Sequence, residues 1–319
     1  MVLTVGDMFA GIGGVALGFE KAKFKIKWAN EFDSNACKTY RANFNHSIIE
    51  DDIREIDSSS LPCVDVITSG FPCQAFSLAG YQKGFKDPRG NLFFETARVI
   101  KDLQPKAFLL ENVKNLKSHD KGNTLKVIQR TIEDDLNYSF LSFVLSAYKH
   151  GNIPQSRERI YIVGFRKDIV NRDKFIIPKE IPLRKKINDL LYKKKAKDKY
   201  YFKEDHKYMP LLKDTMISRE TLYQWRRVYV RENKSNLCPT LTANMGSGGH
   251  NVPLLVDDFG YRRLTPRECF RFQGFPVSFK LLSSIADSHL YKQAGNSVTV
   301  PVIKRIANEI RKVLLTSNK

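Results

Sequence analysis

The chain has 319 residues, enough to bury a sizeable core and more than one small domain needs. Its 53 Lys and Arg against 34 Asp and Glu leave a net charge of +19, a balance that suits a polyanionic partner. No apolar run approaches the ~20 residues that cross a bilayer, which excludes a membrane-spanning helix. The apolar stretch 8–19 is preceded by no Lys or Arg and is broken by glycines, so no export signal is expected. The five cysteines (Cys37, Cys63, Cys73, Cys238, Cys269) are odd in number, widely spaced and free of CxxC or Cys/His clusters. Neither a disulfide framework nor a structural metal site is expected, and a reducing, cytoplasmic compartment fits.

Along the first 165 residues, short apolar runs alternate with helical patterns. Strands are predicted at 3–5, 26–29, 64–68, 107–110, 140–145 and 159–165, and helices at 14–22, 35–44, 93–103 and 124–136. This alternation predicts an α/β fold with a doubly wound, mostly parallel sheet. Composition shifts near residue 178. From 179 to 234 there are 17 Lys or Arg and 8 Asp or Glu, with Tyr and Trp interleaved, so about half the net charge sits in this stretch. Periodicity weakens there, which predicts a second, smaller and irregular domain. At the end, Pro301 can open a helix whose apolar face is Val302, Ile303, Ile306, Ala307, Ile310, Val313 and Leu314, packed on the first domain. The expected division is 1–180 plus 285–319 for the first domain and 181–284 for the second.

Phe9-Ala10-Gly11-Ile12-Gly13-Gly14 stands between a strand and a helix, where glycines let the backbone approach a nucleotide-like ligand. Glu31 ends the second strand about 20 residues later, where a carboxylate can accept ribose hydroxyls. A plain tight turn with a satisfied Glu is the alternative. Asp52 suits either an adenine amino group or the cap of a helix beginning at Ile53.

Gly70-Phe71-Pro72-Cys73-Gln74 follows a strand and places Cys73 at the carboxyl end of the sheet, where such folds bind ligands. Some 20 residues without periodicity follow, carrying Lys83, Lys86 and Arg89, a length that suits a lid. A half-buried inert thiol is the alternative for Cys73. Leu110-Glu111-Asn112-Val113 brings Glu111 to the same edge. Held in an apolar wall, its carboxyl would keep a proton and donate to a heterocyclic nitrogen. Gln155-Ser156-Arg157-Glu158-Arg159 offers guanidinium groups to a carbonyl oxygen and a phosphate, or else forms a surface ion-pair cluster with Glu158.

Taken as a set, these segments resemble the cytosine-5 DNA methyltransferases of bacterial restriction-modification systems. The matching stretches, in the family's order, are 9–14, Asn30-Glu31-Phe32-Asp33, 70–77, Glu111-Asn112-Val113, 155–160, 263–276 (RLTPRECFRFQGFP) and 293–298 (QAGNSV). Similarity covers 1–167 and 262–302 and is weak between them. Phe32 and Ala294 stand where Trp and Phe are common.

The resemblance implies a Rossmann-like catalytic domain that uses S-adenosyl-L-methionine and no metal. It also implies a target-recognition domain, and a monomer acting on double-stranded DNA beside a cognate restriction endonuclease. It implies Cys73 as the nucleophile at carbon 6, Glu111 at the ring nitrogen N3 and exocyclic amine, and Arg157 and Arg159 as catalytic partners, with Arg159 holding the O2 carbonyl. Phe9, Ala10, Gly11, Gly13, Glu31, Phe32, Asp52, Ile53, Pro72 and Leu92 would line the cofactor pocket, with Asn296 and Ser297 closing it. Gln74, Ser77, Lys83 and Arg89 on the loop, and Arg227, Thr240, Gly248 and Gly249 in the second domain, would contact DNA.

The charge of the second domain suits phosphate contacts while loops read base edges. Tyr223, Trp225, Arg226, Arg227 and Arg231 combine stacking surface with guanidinium forks, though Trp225 suits a core equally well, and 193–199 suits a solvated charged loop. Two other functions remain open from sequence: an RNA cytosine methyltransferase on the same catalytic domain, and a DNA-binding regulator without catalysis. The second predicts decay at Cys73, Glu111 or Arg159, and all three are present.

Overall fold

The computed structural model describes residues 2–72, 92–226, 228–247 and 251–317. Two units emerge from the pattern of contacts. The first comprises Met1–Leu145, Glu158–Lys179 and Val302–Lys319, and the second Ser146–Arg157 and Glu180–Pro301.

The first unit is built on a seven-stranded sheet: β1 (Thr4–Met8), β2 (Lys25–Glu31), β3 (Ser47–Glu50), β4 (Val66–Ser69), β5 (Ala107–Val113), β6 (Leu141–Ser146) and β7 (Glu158–Phe165). Their order is β3-β2-β1-β4-β5-β7-β6, parallel from β3 to β5, with β7 antiparallel to β5. The doubly wound, mostly parallel sheet expected from the alternating pattern is present. All four residues of β4 are buried, as both faces of a covered parallel sheet require. β3 escaped prediction because it is four residues long and half-exposed. Helices α1 (Gly14–Lys21), α2 (Ser34–Arg41), α3 (Leu92–Leu103) and α4 (Asn123–Arg130) connect the strands. In α3 the buried Phe93, Thr96, Ala97 and Ile100 recur at three- and four-residue steps. The helix predicted to run to 136 stops at Arg130 and continues as a π-type turn, Thr131–Asp135.

The second unit is irregular over much of its length but carries a four-stranded antiparallel sheet: β8 (Tyr223–Arg226), β9 (Tyr229–Glu232), β10 (Leu254–Asp257) and β11 (Gly260–Arg263), in the order β11-β10-β8-β9. Its helices are α5 (Ala147–Gly151), α6 (Met209–Thr215), α7 (Pro266–Phe272) and α8 (Asp287–Asn296). A small core joins Met209, Leu212, Met216, Tyr223, Val230 and Leu254. Helix α7 opens with a capping box, Thr265 accepting from the Glu268 amide. The Glu268 carboxylate in turn accepts both terminal nitrogens of Arg262, at 2.8 and 2.9 Å, with both side chains fully buried.

The last helix, α9 (Val300–Ser317), buries the apolar face read from sequence, each of its seven residues no more than 1% exposed. It packs closely in the first unit: a Cβ added at Gly18 of α1 would lie 2.5 Å from Ile303 Cγ2.

Candidate active site

Met8, Ser69 and Leu110 align across β1, β4 and β5, so the segments after these strands leave one edge of the sheet. Strand order reverses between β1 and β4, where doubly wound sheets open a crevice. After β1 the chain turns sharply. Phe9 takes φ 53°, unusual for a residue with a side chain, and Gly11 and Gly13 take φ 55° and 85°. A Cβ at Gly13 would strike Phe44 at 2.2 Å, whereas one at Gly11 meets nothing within 4 Å. The loop is therefore packed on one side and open on the other.

Glu31, 8% exposed, anchors this loop. Its Oε2 accepts the Gly11 amide at 2.8 Å, and its Oε1 accepts the amides of Phe32 and Asp33 at 3.0 and 2.9 Å. Burial pushes its carboxyl up, and these amides hold it back. Three donors on a carboxylate with about four acceptor positions leave one, on Oε2. The Phe32 ring beside it is 70% exposed. Asp52 caps a short 3-10 turn by accepting the Arg54 amide and also pairs with the Arg54 guanidinium, at 3.0 and 2.5 Å. Ile53, expected at a ligand, buries its side chain in the core at 2% exposure. Ala10 is 7% exposed, Pro72 is exposed, and Leu92 is half-buried against the same core.

At the neighbouring strand ends, Arg159 Nε lies 3.0 Å from Glu111 Oε1, both side chains less than 15% exposed. The contact is one of charge. Glu111 Oε1 is buried and takes part in no hydrogen bond. A guanidinium thus stands where sequence predicted an apolar wall. Asn112 Nδ2 donates to Phe71 O at 2.9 Å, and a Cβ at Gly70 would lie 3.9 Å from Glu111 Oε2. The Gly70-Phe71 segment therefore runs beside Glu111 and is tied to Asn112. On β1, the fully buried Asp7 accepts the hydroxyl of Thr68 on β4 at 2.6 Å, and burial pushes its carboxyl up to about 7. Sequence reading passed over Asp7; an acidic residue inside an apolar strand was the available signal.

In the second unit, Arg157 differs from its expected catalytic role. It is 3% exposed, and its guanidinium donates to Leu241 O at 2.8 Å, Gly295 O at 3.2 Å and Ser297 O. It holds backbone in place and offers no such fork to a substrate. Gln155, also fully buried, donates to Phe272 O at 2.6 Å and accepts the Leu241 amide at 3.2 Å. Thr240 Oγ1 donates to Ser156 O at 3.0 Å. Asn296 ends α8, and Ser297 Oγ is buried without a hydrogen-bond partner. Trp225 is half-buried against the small core, edge-on to Tyr208 at 4.7 Å. In the lysine run, Lys195 and Lys199 pair with Asp198 and Asp287 while more than half-exposed. Cys73, Gln74, Ser77, Lys83, Arg89, Arg227, Gly248 and Gly249 lie outside the described residues, as does the expected lid.

A model of the C-5 cytosine-specific DNA methylases matches residues 3–312. The chain belongs to that family. Among relatives of this cytosine-5 methylase, the type II methyltransferase M.Bsp6I of Bacillus sp. (strain RFL6) is 54% identical over 318 residues, spanning 98% of this chain and 100% of the relative. The type II methyltransferase M.HhaI of Haemophilus parahaemolyticus is 38% identical, over 95% and 93% of the two chains. The methylase also shares its fold with a crystal structure of a Spodoptera frugiperda DNMT2 mutant, at TM-score 0.74 and 20% identity over 98% of this chain and 99% of that one. A putative DNA modification methyltransferase encoded within an E. coli prophage matches at TM-score 0.71 and 21% identity, over 98% and 99%.

Proposed function

We propose that this methylase transfers a methyl group from S-adenosyl-L-methionine to carbon 5 of a cytosine in double-stranded DNA, through a covalent Cys73 adduct at carbon 6. The observation that carries the reading is the Glu111–Arg159 pair at the sheet edge, with a buried Glu111 oxygen lacking a hydrogen bond and Phe71, two residues before Cys73, held by the side chain of Asn112 next to Glu111.

The glycine loop suits the cofactor. Its open side at Gly11, the spare acceptor position on Glu31 and the exposed ring of Phe32 fit a ribose and an adenine. Asp52 is assigned to the same ligand on the family resemblance. When bound, the cofactor supplies an electrophilic methyl group.

The protein's own groups must make carbon 5 nucleophilic. The Cys73 thiolate adds to carbon 6, and Glu111 engages N3 and the exocyclic amine while Arg159 holds O2, so electron density moves to carbon 5. Once carbon 5 has taken the methyl group, its proton leaves to a base, the carbon–sulfur bond breaks and aromaticity returns. A stacked base cannot reach these groups, so the cytosine leaves the helix at a cost of a few kcal/mol. The +19 charge supplies the affinity for phosphate. In this reading the enzyme works as a cytoplasmic monomer and protects host DNA from a cognate endonuclease.

The test is incubation with radiolabelled S-adenosylmethionine and unmethylated genomic DNA, followed by bisulfite sequencing. Label confined to 5-methylcytosine in one short motif is the expected result. Label in RNA alone, or none with the cofactor bound, overturns the reading.

A further inference from the structure

We propose that the β8–β9 hairpin reads guanine edges through Arg226 and Arg231, with Gln224 as the residue that holds both forks in position. The inference rests on the DNA-methylating reading and deepens it.

Strand alternation sorts the hairpin into two faces. Tyr223, Trp225 and Val230 pack on the small core, while Gln224, Arg226, Tyr229 and Arg231 face outward. Gln224 pairs across the ladder with Arg231, and Arg226 with Tyr229, so all four share one face. Both arginines donate to the same acceptor: Arg226 Nη2 reaches Gln224 Oε1 at 3.0 Å and Arg231 Nη2 reaches it at 3.1 Å. Among the described residues, neither arginine makes an ion pair. Each guanidinium has five N–H donors, and one is used here, which leaves the paired donors that match guanine O6 and N7.

Base edges fit this surface better than phosphate does. The two forks are locked to one oxygen on a sheet, a spacing that rigid base pairs can match and that a phosphate clamp does not need. β9 is an edge strand, and a two-stranded ribbon fits the major groove, about 12 Å wide. Near the tip, the apolar side chain of Val228 is 84% exposed and Tyr229 is 52% exposed. Such groups gain from a groove wall or a thymine methyl and nothing from a phosphate.

The experiment methylates a duplex library with randomised positions around the target cytosine, using the wild-type protein and the Arg226→Ala, Arg231→Ala and Gln224→Ala variants. Sites are read by bisulfite sequencing, and binding is measured across a salt series. The expected wild-type motif requires guanine at two or more positions. Each arginine variant should lose guanine preference at one position, a fall of roughly 5- to 150-fold in discrimination, with the salt slope of binding unchanged. Gln224→Ala should relax both positions. The same motif methylated uniformly less well, with a salt slope smaller by about one, would show phosphate contacts and overturn the proposal. An unchanged motif with an unchanged slope would show a merely solvated face. A wild-type protein that methylates no DNA would instead sink the underlying enzymatic reading.

Discussion

Glu111 and Arg159 meet diagonally across the antiparallel pairing of β5 and β7, their side chains on one face and 3.0 Å apart. The proposed chemistry needs the Glu111 carboxyl at N3, so Glu111→Gln should lower methyl transfer by at least about 10²-fold. Cofactor binding measured by calorimetry should change little. Cys73→Ala should abolish transfer with the cofactor still bound; turnover in that variant would remove Cys73 as nucleophile.

The two left-handed glycines of the first loop should respond differently to substitution. Gly13→Ala drives a Cβ into the Phe44 ring at 2.2 Å and should destabilise the fold by about 1–3 kcal/mol. Gly11→Ala meets open space and should cost about 1 kcal/mol, from its φ alone. That open space is where the cofactor is assigned. Thermal melts should therefore rank Gly13→Ala as the weaker fold, while calorimetry ranks Gly11→Ala as a poor binder of a cofactor it is stable enough to meet.

Asp7 makes stability depend on pH. Its carboxyl is pushed from 3.8 up to about 7 by burial, so the folded protein keeps a proton that the unfolded chain releases. Stability should thus fall as pH rises from about 4 to about 7, by an amount on the order of 4 kcal/mol. Asp7→Asn keeps an acceptor for Thr68 and has nothing to ionise. Urea midpoints should show the variant ahead of wild type near pH 8 and level with it near pH 4; parallel pH profiles would contradict this account.

Glu268 carries the cap of α7 and both terminal nitrogens of Arg262, with no exposure for either side chain. Glu268→Gln leaves a buried guanidinium with Asp257 as its remaining ion-pair partner, which lies 2.5 Å from Nε. A loss of about 3 kcal/mol is expected. The check is limited proteolysis, with earlier cleavage within 180–301.

The parallel sheet was legible because its strands are buried on both faces and read as apolar runs, and because α3 and α9 repeat their apolar residues at helical spacing. The second sheet was not: its strands are four residues long, and β8 and β9 mix Arg with aromatic side chains. The Thr265…Glu268 spacing was a cap signal for α7 that went unread. At the site, strand ends placed Glu111 and Arg159 at one edge, but alternation along a short QSRER stretch did not say where each arginine points. Arg157 turns to backbone carbonyls and Arg159 to Glu111, a division set by tertiary contacts.

The first unit is assembled from stretches far apart in the chain, with α9 seated against Gly18. This imposes an order on synthesis. When Lys179 has left the ribosome, the sheet that bears the glycine loop is complete, but the groove over Gly18 has no occupant. At ~5–20 residues per second, roughly ten seconds pass before Ile303 emerges. During that interval the growing chain exposes apolar surface on α1 that nothing yet made can cover, so this half of the enzyme matures last although it is translated first.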